Sequence, residues 1–142
     1  MADKTVIISC KELSLKFLGV TEAKITEELD SDKVKTFDDP VIVPSSDGGY
    51  TVDISALEAR SVDDFVTLKK ILKLMRTEQG EITISENVKH KSGSFLTENY
   101  LSGVNLSSNE VTYDAEDLTA RELSFNALFL REVVDGTEIT VD

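Results

Sequence analysis

At residues 61–76 the chain reads SVDDFVTLKKILKLMR, a segment with the periodicity of an amphipathic α-helix. Ser61 is a good N-cap residue, and Asp64 three positions later completes an aspartate variant of the capping box. Arg76 suits the negative end of the helix dipole, and Gly80 follows as a terminator. The pattern predicts one helix over about residues 62–77.

The two sides of this helix differ in chemistry when its residues are placed at steps of ~100°. One half of the circle is apolar and the other is basic, so we expect the apolar half to pack on the core and the basic half to face away from it. The apolar side chains are Phe65, Leu68, Ile71, Leu72, Leu74 and Met75, and the basic ones are Lys69, Lys70, Lys73 and Arg76.

The positive charge stands out because the chain has a net charge of −12, and removing these four basic residues leaves −16. A membrane-surface helix or a nucleic-acid contact would use such a face, but the acidity of the rest of the chain repels anionic lipid and phosphate. Lys69 and Lys73 lie four positions apart and repel each other. An acidic surface on another copy of the chain would relieve that repulsion.

The segments on both sides of the helix have the period-two alternation of β-strands. The clearest is RELSFNALFLRE, in which Leu123, Phe125, Ala127 and Phe129 share one face. FLTENYLSGVNLSS predicts a long strand that is bent or bulged near Gly103. The final segment, VVDGTEITV, predicts a hairpin with its tight turn at Asp-Gly. The other strand segments are TVIIS, LSLKF, EAKITEEL, GYTVDISAL and EITIS.

This order of elements predicts one domain, residues 1–142, of the mainly β (α+β) class. We expect an antiparallel β-sandwich or barrel with a single flanking helix. Residues 29–49 contain turn signals and little core-forming pattern, so we expect them to form a long central loop.

The chain lacks the side chains that a catalytic or metal site needs, and we therefore expect no enzyme activity, no metal and no cofactor. It has one histidine, His90, and one cysteine, Cys10, which is expected to be a small, partly buried residue at a strand end. No apolar run is long enough to span a bilayer, and MADKTVIISC does not resemble a secretory signal. We therefore expect a chain that starts in the cytoplasm and does not enter a membrane.

Over most of its length the chain resembles the tail tube proteins of tailed bacteriophages. The resemblance is to the short form found in contractile tails, prophage-derived particles and R-type bacteriocins. It rests on the order of the elements and on the local sequence pattern of five segments: LSLKFLGVTEAKITEELDSDKVKTF, GYTVDISALEA, SVDDFVTLKKILKLM, GEITISENV and YLSGVNLSSNEVTYDAEDLTARELSFNALFL. Contractile-tail relatives often carry Gly and Trp in the segment DDPVIVPSSDGGY, and this chain has no Trp. The choice between contractile and non-contractile tails therefore stays open.

The resemblance implies a structural protein without enzyme activity or cofactor. Copies would form hexameric rings that stack into a hollow tube, assembled in the bacterial host cytoplasm and then part of the virion tail. DNA would pass through the lumen without specific binding, and an acidic wall would let it slide. Sheath, tape-measure and tail-end proteins are further partners. The alternatives are another ring-forming protein, such as a tail terminator or head–tail connector, and a non-viral acidic β-rich binding module.

The resemblance also assigns three sets of residues, each of which could equally be a solvated surface. The predicted lumen residues are polar side chains of two strands: Lys24, Thr26, Glu28, Thr51, Asp53 and Ser55. The predicted inter-ring contacts lie in residues 29–49, the central segment: Asp30, Asp32, Lys33, Lys35, Phe37, Asp38 and Asp39. The predicted subunit-boundary or outer-wall residues are Lys69, Lys73 and Arg76.

Overall fold

The computed structural model describes residues 4–18, 20, 22–28, 31–35, 40–44, 49–58, 60–110 and 119–140. These residues are mostly antiparallel β-sheet with one α-helix, which confirms the predicted class. The elements in chain order are β1 (Lys4–Cys10), β2 (Leu13–Leu18), β3 (Glu22–Glu27), β4 (Ser31–Lys35), β5 (Pro40–Pro44), β6 (Tyr50–Glu58), α1 (Val62–Leu74), β7 (Gly80–His90), β8 (Gly93–Glu110), β9 (Thr119–Ala127), β10 (Phe129–Val134) and β11 (Thr137–Glu138).

The main sheet has the strand order β2-β1-β7-β8-β9-β6-β3, with β10 beside β8 and β11 beside β10. Strand β8 belongs to two parts of it, because its first residues pair with β7 and β10 and its last residues pair with β9. We call β2, β1, β7, β10, β11 and the first part of β8 the first half-sheet. The last part of β8, with β9, β6 and β3, is the second half-sheet.

The sheet bends where these half-sheets meet. Gly80 pairs with Val104 and Glu81 pairs with Ser102, so Gly103 is left out of the ladder as a β-bulge. Gly103 has φ +63°, a left-handed conformation that favours glycine. The bulge predicted near this residue is therefore confirmed. The same corner interrupts the neighbouring strand at Leu128, between β9 and β10.

One hydrophobic core lies between the two half-sheets and the helix. The second half-sheet contributes Val52, Ile54, Leu123, Phe125 and Ala127, all of which are buried. The first half-sheet contributes Val6, Ile8, Cys10, Phe17, Ile82, Ile84 and Leu101, and the helix contributes Leu68, Ile71, Leu72 and Met75. These four helix residues pack as the sequence predicts, and Leu74 is partly buried against them. Phe65, also predicted to face the core, is half-buried and lies outside this cluster.

The helix begins as predicted and ends earlier than predicted. The Ser61 hydroxyl accepts a hydrogen bond from the Asp64 N–H at 3.1 Å, which confirms the N-cap. The last helical residue is Leu74, three residues before the predicted end. The Met75 carbonyl accepts hydrogen bonds from the Leu106 N–H at 2.9 Å and from the Asn105 Nδ2 at 3.2 Å. Strand β8 therefore takes an acceptor that a longer helix would have used.

Three further details differ from the sequence predictions or refine them. The main sheet is not closed into a barrel, since β2 and β3 pair with no common strand among the described residues. The segment expected as a long loop contains a separate two-stranded sheet of β4 and β5. The prediction for Phe129 is wrong: it is 65% exposed, because the break at Leu128 reverses the alternation and turns Leu130 toward Leu101.

Candidate assembly surfaces

The second half-sheet presents a polar face on the side opposite the core. Along β3 and β6, Lys24 pairs with Asp53 and Thr26 pairs with Thr51, so cross-strand neighbours lie on the same face. The Thr51 hydroxyl also donates a hydrogen bond to Glu28 Oε1 at 3.1 Å. Val52 and Ile54, the alternate residues of β6, are buried. The six predicted lumen residues therefore share one surface, although their place in a lumen stays a prediction.

Strands β9 and β8 continue this polar face with residues that the sequence analysis did not select. Asp53 pairs with Ser124, whose hydroxyl donates a hydrogen bond to Asp53 Oδ1 at 2.6 Å. Glu122 pairs with Ser55 on one side and with Glu110 on the other. The alternation in RELSFNA already indicated the polar side of β9, but its neighbours are set by strand pairing. We call this surface the acidic face: Glu22, Lys24, Thr26, Glu28, Thr51, Asp53, Ser55, Ser108, Glu110, Glu122, Ser124 and Asn126.

The acidic face carries five carboxylates and one lysine. The half-sheet that carries it has two open edges. Among the described residues, β3 pairs only with β6, and the last part of β8 pairs only with β9. Such edges present unpaired N–H and C=O groups to any strand that approaches, although the Leu106 N–H at the β8 edge is already bonded to the Met75 carbonyl. The second half-sheet is thus a four-stranded unit that can be extended on both sides.

The three predicted boundary residues line one cleft along the helix. Lys69, Lys73 and Arg76 lie around it together with Lys70, and the cleft has a volume of about 480 Å³. Lys69 Nζ is 5.5 Å from the centroid of the Phe65 ring, within the range of a cation–π interaction. We call this the helix cleft: Phe65, Val66, Lys69, Lys70, Leu72, Lys73, Arg76 and Asn109. It combines an apolar floor with four positive charges.

The predicted inter-ring residues fall partly within the described chain. Asp32, Lys33 and Lys35 belong to β4, which pairs with β5 in the register Asp32–Val43 and Val34–Val41. Among the described strands, β4 and β5 pair only with each other. We call the two strands the central hairpin. The remaining predicted contacts, Asp30, Phe37, Asp38 and Asp39, lie outside the described residues.

The reactive side chains elsewhere in the described chain do not converge on a site. Cys10 is 1% exposed, and burial raises the pKa of its thiol. His90 is exposed and hydrogen-bonded to Ser92 at a turn. Residues 4–18, 20, 22–28, 31–35, 40–44, 49–58, 60–110 and 119–140 hold no group of three or more His, Cys, Asp or Glu placed to bind a metal ion. The described part of the chain also has no helix long and apolar enough to cross a membrane.

A tyrosine on the first half-sheet is held by both of its neighbours. The Tyr100 hydroxyl donates a hydrogen bond to Glu98 Oε2 at 2.5 Å, and this bond raises the pKa of the tyrosine. The Arg131 guanidinium lies 4.4 Å from the centroid of the Tyr100 ring. This cluster links β8 to β10 and carries no reactive geometry of its own.

Comparison with solved structures gives the fold a precedent. A structure of the phage SPP1 tail tube matches with a TM-score of 0.52 and 12% sequence identity, over 99% of this chain and 78% of that chain. The fold is that of a tail tube protein. A crystal structure of an Hcp protein gives a TM-score of 0.44 and 14% identity, over 96% of this chain and 93% of that chain. No family model matches the sequence, and no curated protein matches it.

The three surfaces are distributed over different segments of the chain. The acidic face lies on the second half-sheet, and the helix cleft lies along α1 and also includes Asn109 of that half-sheet. The central hairpin lies in the chain between β3 and β6, the two strands that carry the predicted lumen residues.

Proposed function

We propose that this chain is the structural subunit of a tail tube in a phage or phage-like particle. The observation that carries the proposal is the acidic face on a four-stranded half-sheet with two open edges. A strand edge of one copy can pair with the opposite edge of the next, which extends the sheet from subunit to subunit. A tail tube fold in the SPP1 structure supports this arrangement.

Six copies joined in this way would close the second half-sheets into a ring. With four strands from each copy, a strand spacing of ~4.8 Å and a tilt of ~40°, the backbone diameter is about 48 Å. Inward-pointing side chains narrow this opening, but it remains wider than a nucleic-acid duplex. Rings stacked on one another then form a hollow tube.

The acidic face is the surface that suits such a lumen. Its carboxylates repel phosphate, so DNA can pass during ejection without being held. The opposite face of the same strands is occupied by core residues such as Val52 and Phe125 and cannot serve this purpose. The proposed role is structural, in the tail of a virion assembled in the host cytoplasm. It needs no catalysis, and sheath, tape-measure and tail-end proteins would be its neighbours.

Electron microscopy of the purified protein tests assembly directly. The protein is concentrated over a range of salt and imaged in negative stain. We expect hollow tubes built from rings. Isolated rings that never stack would favour a tail terminator or head–tail connector, and a monomer at every concentration would refute the proposal.

Cysteine labelling tests which face lines the tube. Thr26→Cys places a thiol on the acidic face, and Lys89→Cys places one at an exposed position near the β7–β8 turn. The native Cys10 is buried and should give little background. In assembled tubes a small maleimide should label both variants, whereas a maleimide on a large polymer should label only position 89. Equal labelling by the large reagent would place the acidic face outside the lumen.

A further inference from the structure

The central hairpin stands apart from the main sheet in the part of the chain that the structure describes. Strands β4 and β5 pair only with each other among the described strands. An isolated two-stranded hairpin is at best marginally stable in water, and it becomes stable when it packs against another surface. The sequence of the hairpin includes four apolar residues, Val34, Val41, Ile42 and Val43. A hairpin that stayed in contact with solvent would be expected to carry fewer.

The helix cleft exposes apolar surface beside positive charges. Val66 is 44% exposed beside the cleft, and Val62 one turn earlier is 65% exposed. The exposed Lys70 and Lys73 stand close together at the same cleft. Apolar surface ringed by like charges is stabilised when an apolar segment with opposite charge covers it.

The central segment has the composition that fits this cleft. Residues 29–49 contain five aspartates and two lysines, a net charge of −3, together with the apolar residues of the hairpin. We propose that the central hairpin of one copy docks in the helix cleft of another copy. This inference rests on the proposed tube and names the surface that receives the hairpin within it.

Charge reversal with second-site rescue tests the contact. Lys70→Glu/Lys73→Glu should raise the critical concentration for tube formation by roughly tenfold or more, because an attraction becomes a repulsion at a partly desolvated contact. Asp30→Lys/Asp32→Lys should have the same effect from the other side. Every copy of the fourfold variant carries both reversals, so it should regain assembly to within a few-fold of the wild type.

Lys89→Glu/Lys91→Glu is the matched control, since it makes the same charge change at an exposed turn far along the chain. It should assemble like the wild type. Thermal unfolding of each variant before assembly shows whether the monomer is intact. If the helix variant assembles normally, or if the two defects add in the fourfold variant, the docking proposal is wrong while the tube proposal stands. If the wild-type protein forms no tubes, both are wrong.

Crosslinking tests the contact between the central hairpin and the helix cleft without any substitution. Tubes assembled from a mixture of isotopically heavy and light protein are treated with a carbodiimide, which joins lysine amines to carboxylates in direct contact. We expect mixed-isotope links from Lys70 or Lys73 to aspartates of residues 30–39. Links from these lysines only to other carboxylates, such as Glu132 or Glu138 of the C-terminal hairpin, would overturn the assignment.

Discussion

Gly103→Ala tests the corner that separates the two half-sheets. Two structural features determine how much this substitution lowers the free energy of unfolding. Gly103 has φ +63°, and a left-handed conformation costs a residue with a Cβ roughly 1–2 kcal/mol. A Cβ at this position would also lie 3.0 Å from Cβ and Cδ1 of Leu128. Leu128 is 49% exposed and can shift, so we take about 1 kcal/mol, the low end of the range for overpacking.

The two terms together give a loss of about 2–3 kcal/mol in the free energy of unfolding. For a chain of this length that loss lowers Tm by about 6–10 °C. Urea unfolding followed by circular dichroism measures the first quantity, and calorimetry measures the second. The urea m-value should not change, because the surface exposed on unfolding is nearly the same.

Gly136→Ala separates the cost of the left-handed conformation from the cost of the contact with Leu128. Gly136 has φ +83°, but a Cβ there would meet nothing within 4 Å. Its cost should therefore be the conformational term alone, about 1–2 kcal/mol. If Gly103→Ala costs no more than Gly136→Ala, the contact with Leu128 is unimportant. If Gly103→Ala is neutral, the account of the corner as a glycine-dependent bulge is wrong.

Three further predictions concern single side chains. Ser61→Ala should lower the free energy of unfolding by about 1 kcal/mol, because the Asp64 N–H loses its acceptor, and urea unfolding would expose a neutral result. Cys10 should react with a thiol reagent near pH 8 only after denaturant is added, since burial raises the pKa of the thiol, and rapid reaction of the native protein would contradict this. Tyr100 should titrate above its ordinary pKa because its hydroxyl donates to Glu98, so the stability that it contributes is present below the unfolded-state pKa and is lost as pH rises through the raised value. Ultraviolet titration of Glu98→Gln should show a lower tyrosine pKa than the wild type, and an unchanged titration would rule out the hydrogen bond as the cause.

Several local features of this protein could be predicted from short stretches of its sequence. Helix α1 is set by the N-cap at Ser61 and by apolar residues at helical spacing, both of which are local signals. The bulge at Gly103 and the Asp135-Gly136 turn are also local, because each needs a left-handed residue that only a few residue types adopt easily. The polar residues of β3 and β6 could be selected from alternation alone.

Other features depend on pairing between separate segments of the chain and could not be predicted from any one of them. Alternation identifies the two faces of a strand but not its neighbours, so only the pairing of β6 with β9 added Glu122 and Ser124 to the acidic face. The helix ends at Leu74 because Asn105 and Leu106 of β8 take the carbonyl of Met75, a contact between residues 30 positions apart. Phe129 is exposed because a bend at Leu128 reverses the face, and the central hairpin forms by pairing within a segment whose pattern indicates a loop. The first three of these outcomes depend on free energy gained between remote residues, and the hairpin depends on pairing between two neighbouring segments; the pattern of a single segment records neither.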